Sequence, residues 1–386
     1  MSILEKIFSV KNIMDMSKIQ PIDIVFEKNT IPISFSSSDF FAPYLGVTIQ
    51  SIIDKSSSDY NYDLVVFTKD MSDFNKQVLS SMCNLPNFSI RFINVKEIFD
   101  ALNLYTPGHI TIETYFRLII PVFMKNYSKI LFLDSDLLIL EDVKNLYQID
   151  LGDNAIGAAE ECLMSALLGI HGDSAIDYMY DTLHLKNPDL YFQAGVMIMN
   201  IDYFNQHDCC KRLMNMVCNF NYNIVDQDAM NELLNDKCLW IPNEWNYPPL
   251  QKHMKKLKYI ENMSDFIREK YLAVKHPKIL HFADCEKPWW DPSEDYAPLW
   301  WAYAKKTPYY ELIIKNMMNH SINEQLNQNN LLTNLKFRAV NKYSFNCINY
   351  WKCKLLRNLT FGKTREHYIE KKYRLKNLIR LAEECK

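Results

Sequence analysis

The feature that most constrains this chain is a rhythm: short, almost uniformly apolar runs alternate with segments of helical spacing. Ile31 to Phe35 is such a run, and Ala42 to Asp54 follows with Leu45, Val47, Ile49, Ile52 and Ile53 at helical intervals. Asp63 to Phe67 reads as strand, Ser72 to Ser81 as helix and Ser89 to Ile93 as strand. Glu113 to Phe123 then reads as helix, before Lys129 to Leu133 returns to strand. Strands without a polar face must be covered on both sides, which points to an α/β fold with a mostly parallel sheet between layers of helices. Further strands are expected at Ala155 to Ala159 and Val196 to Met199, and helices from Asp202 and Asp226, with Asp as the N-cap.

The rhythm defines an N-terminal extension (1–30), an α/β domain (31–315) and a C-terminal region (316–386). Asn319 to Asn334 is polar and rich in Asn and Gln, as a linker would be. Beyond it the charge changes sign. From Leu331 to Lys386 there are fourteen Lys and Arg against four Glu, so the formal charge of −3 hides about −13 on the preceding chain. Phe337 to Arg380 interleaves these cations with Tyr343, Phe345, Tyr350, Trp351, Phe361, Tyr368 and Tyr373, a composition suited to a basic helical region at an anionic bilayer interface. A helical appendage packed on the domain would have the same composition. No nucleic-acid recognition motif accompanies the cations, so nucleic acid is not an expected partner.

Glu5, Lys6 and Lys11 interrupt the apolar character of Met1 to Asp15, and no window reaches the roughly 18 apolar residues of a membrane span. The ten cysteines lack paired Cys-x-x-Cys spacing. The expected setting is therefore cytoplasmic with reduced thiols, peripheral on the inner face of a membrane.

The chemistry concentrates at Lys129 to Asp142, KILFLDSDLLILED, where an apolar strand ends in Asp134-Ser135-Asp136. Two carboxylates just past a strand's C-terminal end sit where open α/β sheets bind ligands. Such hard oxygen donors suit Mg²⁺ or Mn²⁺ bridging the phosphates of a substrate. Asp-x-Asp alone is a weak signal, and Asp226-Gln227-Asp228 repeats it.

This segment resembles the Asp-x-Asp block of glycosyltransferase family 8, which includes glycogenin-like enzymes and bacterial lipopolysaccharide glucosyl- and galactosyltransferases. Five further stretches agree in order: Ser37-Ser38-Asp39 through Tyr44, with Gly46 and Ser51; Thr114-Tyr115-Phe116-Arg117-Leu118; Phe192-Gln193-Ala194-Gly195-Val196 through Asn200; Asp226 to Asn231; and His281 through Lys287-Pro288-Trp289. The resemblance implies a GT-A type nucleotide-sugar-binding fold with a mixed, mostly parallel sheet. It implies a UDP-sugar donor and a saccharide or glycolipid acceptor such as lipopolysaccharide. Asp134, Asp136 and His281 would hold the metal, and the imidazole favours Mn²⁺ over Mg²⁺.

By the same carry-over, Ser37, Asp39, Tyr44, Arg117, Asp134, Ser135, Glu161, Gln193, Ala194 and Lys287 would bind the donor. Lys287 would also stabilise the departing UDP. Gln227 would lie nearest the anomeric carbon, and Asp226 would bind sugar hydroxyls. A carboxamide is a poor nucleophile, so retention would come from front-face attack rather than through a covalent intermediate. Gln193 stands where Asn or Ser is usual and Glu160-Glu161 replaces the common acidic pattern, which leaves glucose and galactose both open.

Each residue also has an ordinary reading. His281 follows Ile279-Leu280 and can be a hydrogen-bonded core histidine, Arg117 can pair with Glu113 one helical turn away, and the tandem tryptophans can be core or lid. The rival functions are a non-catalytic UDP- or carbohydrate-binding relative, an inverting transferase and a nucleotidyltransferase.

Overall fold

The computed structural model describes residues 16–108, 110–250, 254–283, 287–322, 350 and 362–383. Two compact units divide the chain, Met1–Ile314 and Lys315–Lys386.

The first unit carries nine strands among its described residues: β1 (Thr30–Ser36), β2 (Asn61–Thr68), β3 (Phe88–Asn94), β4 (Lys129–Leu133), β5 (Leu137–Ile139), β6 (Ile156–Glu160), β7 (Phe192–Asn200), β8 (Cys238–Trp240) and β9 (Ile279–His281). Seven form one sheet in the order β3-β2-β1-β4-β7-β6-β8. β1 to β4 are parallel neighbours, β7 runs antiparallel to both β4 and β6, and β8 is parallel to β6.

The apolar runs behave as their composition requires. Along β4, Ile130 and Phe132 pack into one buried cluster, and Leu131 and Leu133 into another on the opposite face. Helix α1 (Ala42–Lys55) starts with Pro43 in its first turn, where a missing N–H costs nothing, and buries Leu45, Val47, Ile49 and Ile52. Helix α2 (Asp73–Met82) is capped by the Ser72 side chain.

Strand direction collects the site. β1 and β4 deliver their C-terminal ends to one edge of the sheet. β7, being antiparallel, delivers its N-terminal end there, and β6 its C-terminal end. Residues 36–38, 134–136, 161 and 193–195 therefore meet without being neighbours in sequence. A two-stranded ribbon completes the edge, since β9 pairs antiparallel with β5 and sets His281 opposite Leu137, one residue from Asp136.

Three expectations change in detail. The helix expected over Glu113 to Phe123 is instead a 3₁₀ run, Ile112–Leu118, followed by a short helix, Ile120–Phe123. Pro121 has no N–H with which to continue a ladder through this point. The 3₁₀ geometry eclipses residues three apart and so puts Thr114 and Arg117 on one face. Second, the helix expected from Asp202 is Ile201–Gln206, capped by the Asn200 side chain. Third, the helix α3 (Val225–Leu234) carries Asp226 inside its first turn and not as a cap.

Helix α4 (Gly362–Glu383) is the described part of the basic region. Segment 1–15, residues 284–286 of the His-to-Trp motif, residues 323–349 and residues 351–361 lie outside the described residues, and with them much of the expected linker and basic–aromatic stretch. No described helix is long and apolar enough to cross a membrane.

Candidate active site

Asp134 and Asp136 leave the C-terminal end of β4 side by side. The Asp134 N–H donates to the Gly195 carbonyl at 2.8 Å, which extends the β4–β7 pairing and fixes where the first carboxylate points. Between them, Ser135 turns inward and donates to the Ser36 carbonyl at 2.9 Å, while its own carbonyl accepts from Thr48 at 3.0 Å. With the central residue tied down, both flanking carboxylates face the cleft. His281 Nε2 stands 3.3 Å from Asp136 Oδ1 and 3.8 Å from Asp134 Oδ2, and one donor atom from each of the three residues lies within 4.8 Å of the others.

Arg117 is the hub of the opposite wall. Its Nη1 donates to the Ala194 carbonyl (2.5 Å), Nη2 to Asp134 Oδ1 (3.0 Å) and Nε to the Thr114 carbonyl (3.1 Å), and Nε also lies 3.0 Å from Asp226 Oδ2. The Thr114 hydroxyl donates to Asp226 Oδ1 at 2.5 Å. The expected alternative, an ion pair with Glu113, gives way to two aspartates far apart in sequence, because the 3₁₀ turn aims Arg117 inward. Just before Asp226, Val225 holds a positive φ of 23°, which a β-branched residue avoids, so the turn into α3 is strained where it delivers its carboxylate.

On the other side, Lys287 donates to Asp136 Oδ2 at 2.8 Å and also to the Phe282 carbonyl. The electrostatics follow from this placement. Burial works against the charge on Asp136, but Lys287 and His281 outweigh it and hold the carboxyl well below the usual carboxylate range. Asp134 is raised instead, since burial and the neighbouring Asp136 prevail over Arg117. Burial pushes Asp226 up to about 6 against the pull of Arg117 and Thr114. Burial also raises Glu161, although the Leu163 N–H, His281 and Gln227 oppose it.

Among the described residues, the cationic side chains paired with Asp134, Asp136 and Asp226 are Arg117 and Lys287, and Glu161 adds a fourth buried carboxyl nearby. A divalent cation fits this donor set in both charge and kind, two carboxylates and one imidazole nitrogen.

The remaining expected residues divide into two groups. Ser37 and Ser135 line a recess with Ser36, Ser38, Phe41 and Arg117. Gln193 and Gln227 line an adjoining one with Asp134, Asp136, Asp226 and His281. Gln227 Oε1 accepts from the Ala194 N–H at 2.9 Å, so the backbone of Ala194 ties together Gln227 and Arg117. Glu161 caps the helix Cys162–His171 through the Leu163 N–H at 3.0 Å.

Asp39 and Tyr44 stand apart from both recesses. Asp39 accepts from the Ser72 N–H (2.8 Å) and the Asn75 amide (2.7 Å); burial opposes its charge, but these bonds hold it below its ordinary value. Tyr44 is buried, its ring stacked on Trp289 with centroids 4.5 Å apart and packed near Trp300. Asp228, the second aspartate of Asp226-Gln227-Asp228, turns away to accept from Tyr178, Tyr191 and the Ile224 N–H.

Sequence reasoning missed Asn246, whose side chain contacts His281, and gave no role to Thr114. It also gave no reason for Gly195. An added Cβ there would lie 2.3 Å from Asp134 Oδ2 and 2.4 Å from His281 Cε1, so Asp134 and His281 close over a position that only glycine fits. Its place in the Gln-Ala-Gly segment was the available signal.

Residues 32–292 match the model of glycosyl transferase family 8. The lipopolysaccharide 1,2-glucosyltransferase of Escherichia coli K12 is 24% identical over 194 residues, 49% of each chain. Among solved structures, the bifunctional glycosyltransferase WbbM superposes with a TM-score of 0.70 at 30% identity, covering 77% of this chain and 53% of that one. This chain thus spans about half the length of that relative. The galactosyltransferase LgtC, solved with donor and acceptor sugar analogues, gives a TM-score of 0.58 at 23% identity over 72% of this chain and 96% of its own. At that identity the likeness is one of fold, the GT-A fold. With its family match spanning the sheet, the carboxylate pair and the Lys-Pro-Trp segment, this chain belongs to glycosyl transferase family 8.

Proposed function

We propose that this protein transfers a hexose, glucose or galactose, with retention of configuration from a UDP-sugar to a saccharide acceptor such as lipopolysaccharide or another surface glycan. The observation that carries the reading is the convergence of Asp134, Asp136 and His281 between two adjoining recesses. A nucleotide would fill the first, against Ser37 and Phe41, and a sugar the second, against Gln193, Asp226 and Gln227. The diphosphate would then lie beside Asp134, Asp136 and His281.

A divalent cation held by Asp134, Asp136 and His281, Mn²⁺ in preference to Mg²⁺, would supply positive charge to the departing diphosphate. The protein's own groups account for the rest. Lys287, already among oxygen acceptors at the mouth of the site, can move its ammonium onto a diphosphate oxygen and stabilise the leaving charge. Arg117 favours the charged forms of Asp134 and Asp226 against the opposing effect of burial, and holds both carboxyls in place.

Asp226 has one oxygen on Thr114 and the other beside Arg117, an arrangement suited to stabilising positive charge on the sugar and poorly suited to nucleophilic attack. Gln227 is committed to Ala194 through its oxygen. Neither residue offers a free nucleophile, which favours attack by the acceptor hydroxyl on the face that UDP leaves. The acceptor oxygen bonds to the anomeric carbon as the bond to the diphosphate oxygen breaks, and that oxygen takes the electron pair and the hydroxyl proton. Gln193 would donate from its amide to a sugar hydroxyl.

The product's stereochemistry tests this reading. Proton NMR of the product formed from a UDP-α-hexose and a saccharide acceptor should show an α-anomeric signal. A β-anomer would overturn retention and support an inverting enzyme.

The acceptor's setting is part of the proposal. A glycolipid acceptor on the cytoplasmic face of a membrane would be met by a protein held there by its basic C-terminal region. The cations of Gly362–Glu383, including Lys371, Lys372, Arg374 and Lys376, support it.

A further inference from the structure

We propose that Asn246 is the positioning residue that fixes the tautomer of His281, with Gln193 fixing Asn246 in turn. The inference rests on the metal reading above and identifies what prepares the imidazole to serve as a ligand.

One group in the chain of contacts has a role that is not adjustable. The Gly195 backbone N–H can only donate, and it points at the Gln193 side chain at 2.5 Å, so the atom it meets is the carbonyl oxygen Oε1. That oxygen also lies 2.8 Å from the Asn246 side chain, which must therefore present its NH₂. The orientation of the Asn246 amide is then settled, and its Oδ1 is the atom 2.8 Å from His281 Nδ1. A carbonyl oxygen accepts only, so Nδ1 carries the hydrogen. In the neutral ring the Nε2 lone pair faces Asp134 and Asp136.

One backbone N–H thus dictates, through two carboxamides, which imidazole nitrogen is available to a cation. Each link is rigid. Asn246 and His281 are both buried. The chain beside Asn246 is bonded to β9 from both directions, since the Tyr247 N–H donates to the Ile279 carbonyl (3.0 Å) and the His281 N–H to the Tyr247 carbonyl (2.9 Å).

The test is Mn²⁺ binding to the full chain in the presence of UDP, read from the paramagnetic resonance signal of free Mn²⁺, for wild type, N246L and N246D. Both variants keep the approximate volume and lose the donor to Gln193, but only N246D keeps an acceptor for Nδ1–H. Losing a supporting hydrogen bond of this kind weakens metal binding by roughly 10–100-fold. N246L should show that loss, and N246D should bind close to wild type.

Equal weakening of the two variants would assign Asn246 a packing role and overturn the proposal, as would wild-type affinity in N246L. If N246L does not fold, Gln193→Met removes the acceptor that orients Asn246 while leaving Asn246 itself in place. It should weaken Mn²⁺ in the same direction by less, and unchanged affinity there would overturn the proposal. Absence of Mn²⁺ binding in the wild type would defeat the metal reading and this inference together, whereas binding that N246L leaves intact defeats only this inference.

Discussion

Replacing Gly195 by alanine tests the site's geometry with a single methyl group. The added Cβ would stand 2.3 Å from Asp134 Oδ2, 2.4 Å from His281 Cε1 and 3.0 Å from Gln193 Oε1, where ordinary contact begins at 3.4 Å. β7 cannot retreat, because it is paired with β4 on one side and β6 on the other. Asp134 and His281 must therefore each recede by roughly 1 Å. Metal sites tolerate ligand displacements of about 0.2 Å, and a misplacement of about 1 Å near reacting groups costs on the order of 100-fold in rate.

The methyl also overpacks a buried position, at about 1–3 kcal/mol, which is survivable for a domain of this size. G195A should thus fold, melt a few degrees lower by circular dichroism, lose about 100-fold or more in UDP release from the donor sugar, and require more Mn²⁺ for half-maximal rate. Wild-type activity with wild-type Mn²⁺ dependence would show that Asp134 and His281 do not act together.

Other perturbations separate the parts of the account. Asp136→Ala should abolish metal-dependent activity while leaving a cooperative melt; activity at saturating Mn²⁺ would remove Asp136 from the ligand set. Arg117→Ala leaves Asp134 and Asp226 without their shared cation, and losing one partner of a buried pair costs about 3–5 kcal/mol, measurable by urea unfolding. A loss below about 1 kcal/mol would refute Arg117 as the hub. Truncation after Asn334 should abolish co-sedimentation with vesicles containing anionic lipid, and undiminished sedimentation would sink the membrane proposal.

The parts of the fold legible in the sequence were those whose cause is local. β1, β2 and β4 are buried on both faces, so their composition alone marks them. The carboxylate pair follows β4 directly and shares its signal. His281 and Lys287 became legible only through the resemblance of their segment to the family's motif.

What stayed hidden depends on contacts across the sequence. β5 and β9 have three residues each, too few for periodicity, yet their pairing brings His281 to Asp136. Asn246 touches His281 from 35 residues away, and no local pattern marks it. The demand for glycine at 195 comes from side chains on two other strands or their ends. Helical spacing carried the reading straight through Pro121, and neither the break there nor the 3₁₀ run before it, which aims Thr114 and Arg117 together, was read from it. Spacing also could not show that Tyr44 turns into the tryptophan cluster.

In the proposed reaction the Asp134, Asp136 and His281 cluster serves metal-dependent transfer from a UDP-sugar. The most direct test is UDP release by the purified protein from a panel of UDP-sugars without acceptor, first with Mn²⁺ and then with excess EDTA. UDP-glucose or UDP-galactose should be hydrolysed slowly, in a reaction that EDTA abolishes and added Mn²⁺ restores. Hydrolysis unaffected by EDTA, or neither release nor calorimetric binding of UDP in the presence of Mn²⁺, would contradict it.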